Sequence, residues 1–371
     1  MNSTDKLFLL DAYALIYRSY YAFIKNPRIN SKGFNTSAIL GFVNTLEEVL
    51  KKENPTHIGV AFDPSGPTFR HEAYEQYKAQ REETPEAIRL SVPIIKDIIR
   101  AYRIPILEVS GYEADDVIGT LATEAGRQGI ITYMMTPDKD YGQLVSDNVF
   151  MYRPKHSGGF EVMGIDEIKA KFNIRSTEQV IDMLGLMGDS SDNIPGCPGV
   201  GEKTAQKLVA EFDSIENLLA HTDQLKGALK TKVEANREMI TFSKFLATIK
   251  VDVPIKLDMT TLVREEPDEE KLRKIFEELE FRTLIDRVLK KSGAPLSSSS
   301  NSVSPDLYAG TLFARPVDSP TPENNGPVQG DLFANFADNG TGNAENSNLT
   351  HLEMLDVDYQ LIDTEEKRSE I

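Results

Sequence analysis

The sequence has no tryptophan, one cysteine and five histidines in 371 residues. The lone Cys197 excludes an intramolecular disulfide and a cysteine-based zinc cluster. With so few scattered histidines, the chain fits a cytosolic protein that does not rely on zinc. Long apolar runs are missing as well, and nothing approaches the roughly 20 residues that a membrane-spanning helix needs. The opening LFLLDAYALIY carries Asp11 in its centre and has no basic leader, so it reads as strand then helix rather than as a signal peptide. A cytoplasmic protein with no membrane partner is expected.

Basic residues are also scarce relative to acidic ones. The net charge is −17, which at first argues against nucleic acid. However, from Gly293 onward there are thirteen acidic and three basic residues, so residues 1–292 carry only −7. An acidic cleft accounts for most of that remainder, and local basic patches decide the partner.

What is present is a set of carboxylates in telling places. The stretch GYEADDVIG puts Glu113, Asp115 and Asp116 within four residues, directly before an apolar helical run. Carboxylates so close repel one another. Either a helix N-terminus or a bound divalent cation must compensate. Three short apolar runs of buried-strand type, Leu7–Leu10, Ile58–Phe62 and Ile130–Met135, run into Asp11, Asp63, and Asp138 with Asp140. A single Asp after a strand can be a turn residue or helix cap. Three such strand ends alternating with helices predict a parallel sheet whose carboxyl edge forms an acidic cleft.

Other segments offer nucleic-acid chemistry. Helix Ala12–Ile24 carries Arg18 two turns beyond Asp11, within reach of a phosphate held there. A second amphipathic helix covers 35–53, and a third covers 85–102 and leads to a strand at 104–109. Between them, PSGPTFRHEAYEQYKAQREETPEAI interleaves Arg70, Tyr77, Lys78 and Arg81 and has few aliphatic residues. It reads as a poor core element, suited either to a single strand, with cations on phosphates and rings on bases, or to a solvated loop. Val149–Tyr152 and Phe160–Met163 form a hairpin around Ser157, Gly158 and Gly159, and residues 165–290 read as helical. There Asp189 and Asp192 add two carboxylates. PGVGEKTA follows, with Gly199, Val200, Gly201, Lys203 and Thr204 between two helices. Such glycines let backbone N–H groups face a phosphate at a helix N-terminus, though an interhelical turn has the same pattern.

The motifs LLDAYALIYRSYYAF, VAFDPSGPTFRHEAYEQYKAQR, GYEADDVIGTLA, TPDKDYGQLV and GLMGDSSDNIPGCPGVGEKTAQKL occur in that order and spacing. With them, residues 1 to about 290 resemble the 5′-nuclease domains of the flap endonuclease family, of the kind found in bacterial DNA polymerase I. The resemblance implies an α/β, PIN-like fold: a mostly parallel sheet with flanking helices and a helical arch over the cleft. A helical subdomain with a helix-hairpin-helix (helix–three-turn–helix) element follows. The implied boundaries are 1–175 for the catalytic domain and 176–290 for the DNA-binding subdomain.

The family's first metal group falls on Asp11, Asp63, Glu113, Asp115 and Asp116, and its second on Asp138, Asp140, Asp189 and Asp192. Catalytic roles fall on Lys78, Arg81 and Asp116, and arch or phosphate contacts on Arg18, Tyr77, Lys78 and Arg81. Ala12 and Pro137 stand where the family often has glycine, which bears on local backbone geometry but removes no ligand. Oxygen-only clusters suit two Mg²⁺ ions, with Mn²⁺ able to substitute. Two such ions roughly 4 Å apart can clamp the attacking and leaving oxygens of a phosphodiester displacement. The family also implies K⁺ at the hairpin carbonyls. Its substrates are DNA with a 5′ flap, nick or 5′ end, and RNA primers on DNA, handled by a monomer.

The tail reads differently. Residues 291–348 are rich in Ser, Asn, Gly, Pro and Thr and form a disordered linker. Within it, Gln329, Leu332 and Phe333 in QGDLF resemble a peptide that docks on the bacterial sliding clamp. Residues 349–371 resemble the opening strand of a truncated 3′–5′ exonuclease-like domain, as in a fragment of a larger polymerase. The competing function is a non-catalytic DNA-binding scaffold that recruits the clamp. All nine carboxylates are present, which a binding-only protein does not need, and this favours the nuclease.

Overall fold

The computed structural model describes residues 5–155 and 159–289. The linker, the clamp-motif residues Gln329, Leu332 and Phe333, the 349–371 segment and the hairpin tip at Ser157 and Gly158 lie outside the described residues. Six strands form one sheet: β1 (Lys6–Asp11), β2 (His57–Ala61), β3 (Ile106–Leu107), β4 (Ile131–Met135), β5 (Val149–Pro154) and β6 (Phe160–Met163). Their order is β3-β2-β1-β4-β5-β6, and only β6 runs antiparallel to its neighbour. Register aligns the strand ends, with Asp11 opposite Ala61 and Leu10 opposite Met135. Asp11, Asp63 and Asp138 therefore leave the sheet along one edge, as parallel strands require.

Strand alternation assigns the two cores. Leu7 and Leu9 face one side of the sheet, and Phe8 and Leu10 the other. The Phe8 side packs against α1 (Ala12–Ala22), α2 (Ser37–Lys52) and, beyond the short α3 (Phe69–Ala73), α4 (Glu86–Ala101). The Leu7 side receives α5 (Ala114–Arg127), α6 (Ile165–Phe172) and α7 (Gln179–Met187). It continues without a break into α8 (Glu202–Phe212), α9 (Ile215–Ala220), α10 (Gly227–Ala235) and α11 (Arg237–Ala247). Among the described residues, no helix is long and apolar enough to cross a membrane.

Three features depart from the sequence reading. Residues after 255 leave the helical half and return to the sheet: Ile58 N–H donates to Leu262 O at 2.8 Å, and Arg264 N–H to Thr56 O at 2.9 Å. The last helices, α12 (Glu269–Glu278) and α13 (Arg282–Leu289), then bury Leu272, Phe276 and Leu284 in the Phe8 core. The expected strand at 104–109 is reduced to two paired residues, because Pro105 has no N–H to donate to the sheet. Finally, the 64–85 segment is not a protruding helical arch. It holds only the five-residue α3, followed by turns across 75–80, and those turns pack down onto the cleft.

Candidate active site

Asp11 ends β1 and caps α1, accepting Ala14 N–H at 3.1 Å while Thr136 Oγ1 donates to its other oxygen at 3.2 Å. Asp63 accepts Ala114 N–H at 2.7 Å, which ties the end of β2 to the first turn of α5. Glu113 is the N-cap residue of α5, with Asp115 and Asp116 in its first turn. So both compensations foreseen for EADD meet here: a helix N-terminus and a geometry fit for a cation. Among the described residues, Glu113, Asp115 and Asp116 form an acidic cluster whose ligand oxygens all lie within 4.8 Å of one another.

The second group gathers around Asp138, which caps a 3₁₀ turn at Lys139–Leu144 by accepting Asp140 N–H at 3.0 Å. Asp189 and Asp192 come from the loop between α7 and α8. That loop is pinned by a close crossing of two left-handed glycines, Gly188 (φ 72°) and Gly196 (φ 62°). A Cβ added at Gly188 would lie 2.4 Å from Ile194 O, and one at Gly196 would lie 2.3 Å from Gly188 N. Glycine is the residue that meets both demands.

Four cations are built into this acidic wall. Arg70, which is 1% exposed, bonds Glu113 Oε2 and both oxygens of Asp116, each at 2.8 Å. Lys78 donates to Glu113 and stands 3.8 Å from Asp192. Arg81 pairs with Asp192, and Lys139 donates to Asp189 at 2.7 Å. Tyr77 O–H lies between the two groups, 2.9 Å from Glu113 Oε2 and 3.2 Å from Asp192 Oδ2.

The titration behaviour divides accordingly. Burial alone would raise Glu113, but Lys78 and Arg70 hold it below the usual range; Lys78 and Arg81 likewise outweigh burial at Asp192. Five other carboxyls go up. Burial, then the nearby Asp63, pushes Asp11 to about 7. Burial also raises Asp63, Asp115, Asp138 and Asp140, with repulsion from Asp116 adding at Asp115 and from Asp138 at Asp140. Two buried oxygens among the described residues accept no hydrogen bond, and they are Asp115 Oδ1 and Asp140 Oδ1. One belongs to each group. A buried anionic oxygen without a donor is costly unless a cation fills the place, so this donor set fits hard divalent ions.

The sequence-derived residues divide when set against this geometry. Asp11 feels the charges of Asp63 and Asp138, and Asp138 those of Asp189 and Asp192, so carboxylates read from strand ends and from the helical segment come near one another. Asp116 belongs to the cluster by distance, yet its oxygens already accept Arg70, Glu113 N–H at 3.1 Å and Lys250 N–H at 2.8 Å. Arg70 and Tyr77, expected as nucleic-acid contacts on an exposed segment, are instead buried against carboxylates, at 1% and 3% exposure. Lys78 and Arg81 do border the cleft, and Arg18 sits half-buried on α1. Gly199 adopts φ 75°, Val200 is buried, and Gly201 precedes α8 with Lys203 exposed beside it. Sequence reasoning missed Lys139, although its place between two metal-group aspartates was a usable signal. It also missed Lys232, whose Nζ lies 2.5 Å from where a Cβ on Gly199 would sit; no local pattern links those two positions.

Two family models match in tandem: the 5′-3′ exonuclease N-terminal resolvase-like domain over residues 6–173 and the 5′-3′ exonuclease C-terminal SAM fold over 175–270. Bacillus subtilis DNA polymerase I is 42% identical over 291 residues, covering 78% of this chain and 33% of that protein. A 5′-3′ exonuclease of Aquifex aeolicus is 37% identical over 284 residues, covering 76% of this chain and 95% of that one. The chain thus spans about a third of the length of the polymerase relatives. In fold it is similar to T5 5′-exonuclease with zinc bound (TM-score 0.56, 22% identity, 74% of this chain and 99% of that one). It is also similar to the catalytic core of Rad2 in complex with DNA (TM-score 0.52, 18% identity, 76% and 93%).

Proposed function

Because the chain belongs to the 5′-3′ exonuclease family and carries both of its domains in order, we propose that it is a Mg²⁺-dependent 5′–3′ exonuclease and 5′-flap endonuclease. Its substrates on this reading are DNA flaps, nicks and 5′ ends, and RNA primers on DNA. The observation that carries the proposal is the pair of donorless buried oxygens, Asp115 Oδ1 and Asp140 Oδ1, one in each carboxylate group. Asp11, Asp63, Glu113 and Asp115 would hold one ion, backed by Asp116, and Asp138, Asp140, Asp189 and Asp192 the other. When bound, such ions would offset the negative charge that develops in phosphodiester hydrolysis. Lys78 and Arg81, on the rim, would turn from their carboxylates to the phosphate and offset the charge that develops on it. Tyr77 holds Glu113 and Asp192 apart at fixed distances, and the Gly199–Gly201 turn presents N–H groups to duplex phosphates.

The test is release of short 5′ products from a 5′-labelled flap duplex. Cleavage in Mg²⁺ or Mn²⁺ and none in EDTA is the expected result. Tight DNA binding without cleavage in either metal would favour the scaffold reading instead. Docking of Gln329, Leu332 and Phe333 on a sliding clamp belongs to the same reading, and binding of a labelled 325–338 peptide checks it.

Metal should also stabilise the fold, with a defined pH dependence. In the metal-free protein Asp11 titrates near 7 instead of 3.8, so the folded state holds protons that the unfolded chain releases. Metal-free stability therefore falls as pH rises from about 4 through 7. A bound cation needs the ionised carboxylate, so the gain from Mg²⁺ grows over the same window. Melting curves with EDTA or millimolar Mg²⁺ at pH 6 and pH 8 should show the larger metal-induced rise at pH 8; equal midpoints with and without metal would overturn this.

A further inference from the structure

Arg70 does more than neutralise one carboxylate. Its Nε donates to Leu246 O at 2.9 Å and its NH2 nitrogen to Thr248 O at 2.8 Å, both at the C-terminal end of α11. Its remaining hydrogens bond Glu113 and Asp116. All five N–H groups are thereby used, which is the full donor capacity of a guanidinium. Asp116 completes the junction by accepting Lys250 N–H, so the 246–250 segment and the N-terminus of α5 are stitched together through one buried ion pair. Aromatic rings pack beside the buried guanidinium. Phe69 lies under the guanidinium at 4.6 Å and meets Tyr112 at 5.9 Å and Phe245 at 6.0 Å between ring centres. The partners come from three distant parts of the chain: α3, the cap of α5, and the end of α11.

We propose that Arg70 is a positioning residue of the metal centre, a fork that fixes Glu113 through Asp116 and ties the cluster to the last turn of α11 in the helical half. This rests on the nuclease reading for its activity arm, but the placement of Glu113 is read by metal binding alone. Arginine is needed rather than any cation, because a lysine can reach Glu113 or Asp116 but cannot also span both carbonyls in one plane. Glu113 is then left less well oriented while its charge and Asp115 are unchanged.

The experiment compares wild type, Arg70→Lys and the double variant Arg70→Met/Asp116→Leu. The double variant removes both buried charges together, which proteins tolerate far better than removing one. Mn²⁺ affinity is read by electron paramagnetic resonance, flap-cleavage kcat and KM by steady-state kinetics, and duplex binding in EDTA by anisotropy. Melting curves report the folded state of each. The expected result is Mn²⁺ affinity lowered about tenfold to a hundredfold in both variants, the scale of losing a group that orients a ligand. We expect kcat at fixed, subsaturating Mg²⁺ to fall in step and to recover partly at high Mg²⁺. KM and duplex affinity should stay within about twofold of wild type. Should Arg70→Lys fail to fold, unchanged Mn²⁺ affinity in the double variant still overturns the proposal, and a loss there is measured against Asp116→Leu alone, which lacks the same carboxylate but keeps Arg70 beside Glu113; equal losses in the two would overturn it. Unchanged Mn²⁺ affinity in the folded variants overturns the proposal, as does loss of duplex binding with Mn²⁺ affinity intact. A wild type that binds Mn²⁺ with this dependence on Arg70 but cleaves nothing would sink the nuclease reading and leave the fork standing.

Discussion

Asp115→Asn and Asp140→Asn are each expected to lower flap cleavage by more than about a hundredfold while leaving duplex binding nearly intact. The loss of one preorganised charge-stabilising group in an active site has at least that scale. In both cases the substituted oxygen is buried and lacks a hydrogen-bond donor, so the amide cannot be excused as replacing a structural bond. The same change should act on stability with the opposite sign. Burial and repulsion from Asp116 and Asp138 push these two carboxyls well above the normal range, so each charge opposes folding when no cation is bound. The metal-free variants should melt higher than wild type, and the gain from Mg²⁺ should shrink. Cleavage assays beside melts in EDTA and Mg²⁺ check both halves. A variant that cleaves normally, or one that melts lower without metal, would show that these oxygens serve packing and not a cation.

Asp116→Ala should behave in the reverse way. Asp116 is fully buried and holds both ends of the Arg70 fork, the Glu113 amide and the Lys250 amide. Removing it leaves a buried guanidinium with one carboxylate and two main-chain donors without partners. Breaking a buried pair from one side costs about 3–5 kcal/mol, which for a domain of this size lowers the midpoint by roughly 10 °C. Denaturant melts of Asp116→Ala beside Asp115→Ala test it. The two neighbours, adjacent in sequence, should move stability in opposite directions without metal. A midpoint for Asp116→Ala within about 1 °C of wild type would contradict the geometry.

The carboxylate cleft was legible because parallel strands end on one edge, so an Asp after each apolar run lands in one place whatever the helices do. The helix Glu202–Phe212 was legible from a glycine before it and an amphipathic period within it. The burial of Arg70 and Tyr77 was not legible, for the opposite reason. Locally they look like solvent-facing cations and rings, and what buries them lies elsewhere: Leu246 O and Thr248 O for Arg70, Glu113 and Asp192 for Tyr77. The return of 262–289 to the sheet was hidden likewise, since α12 is amphipathic whichever core receives it. Local periodicity says that a face is buried; it does not name the partner.

Lys78 rests on Glu113 and the exposed Arg81 on Asp192, so each is already paired with a protein anion. Turning to a phosphate, as proposed above, they would leave a protein anion rather than a dissolved one. An ordinary basic patch gathers affinity from the mixing entropy of counterions freed from DNA, and its binding weakens steeply as salt is added. On the proposed reading, the vacated Glu113 and Asp192 would take up cations as the phosphates shed theirs, so these two residues would add less to the salt dependence of binding than a free basic patch does.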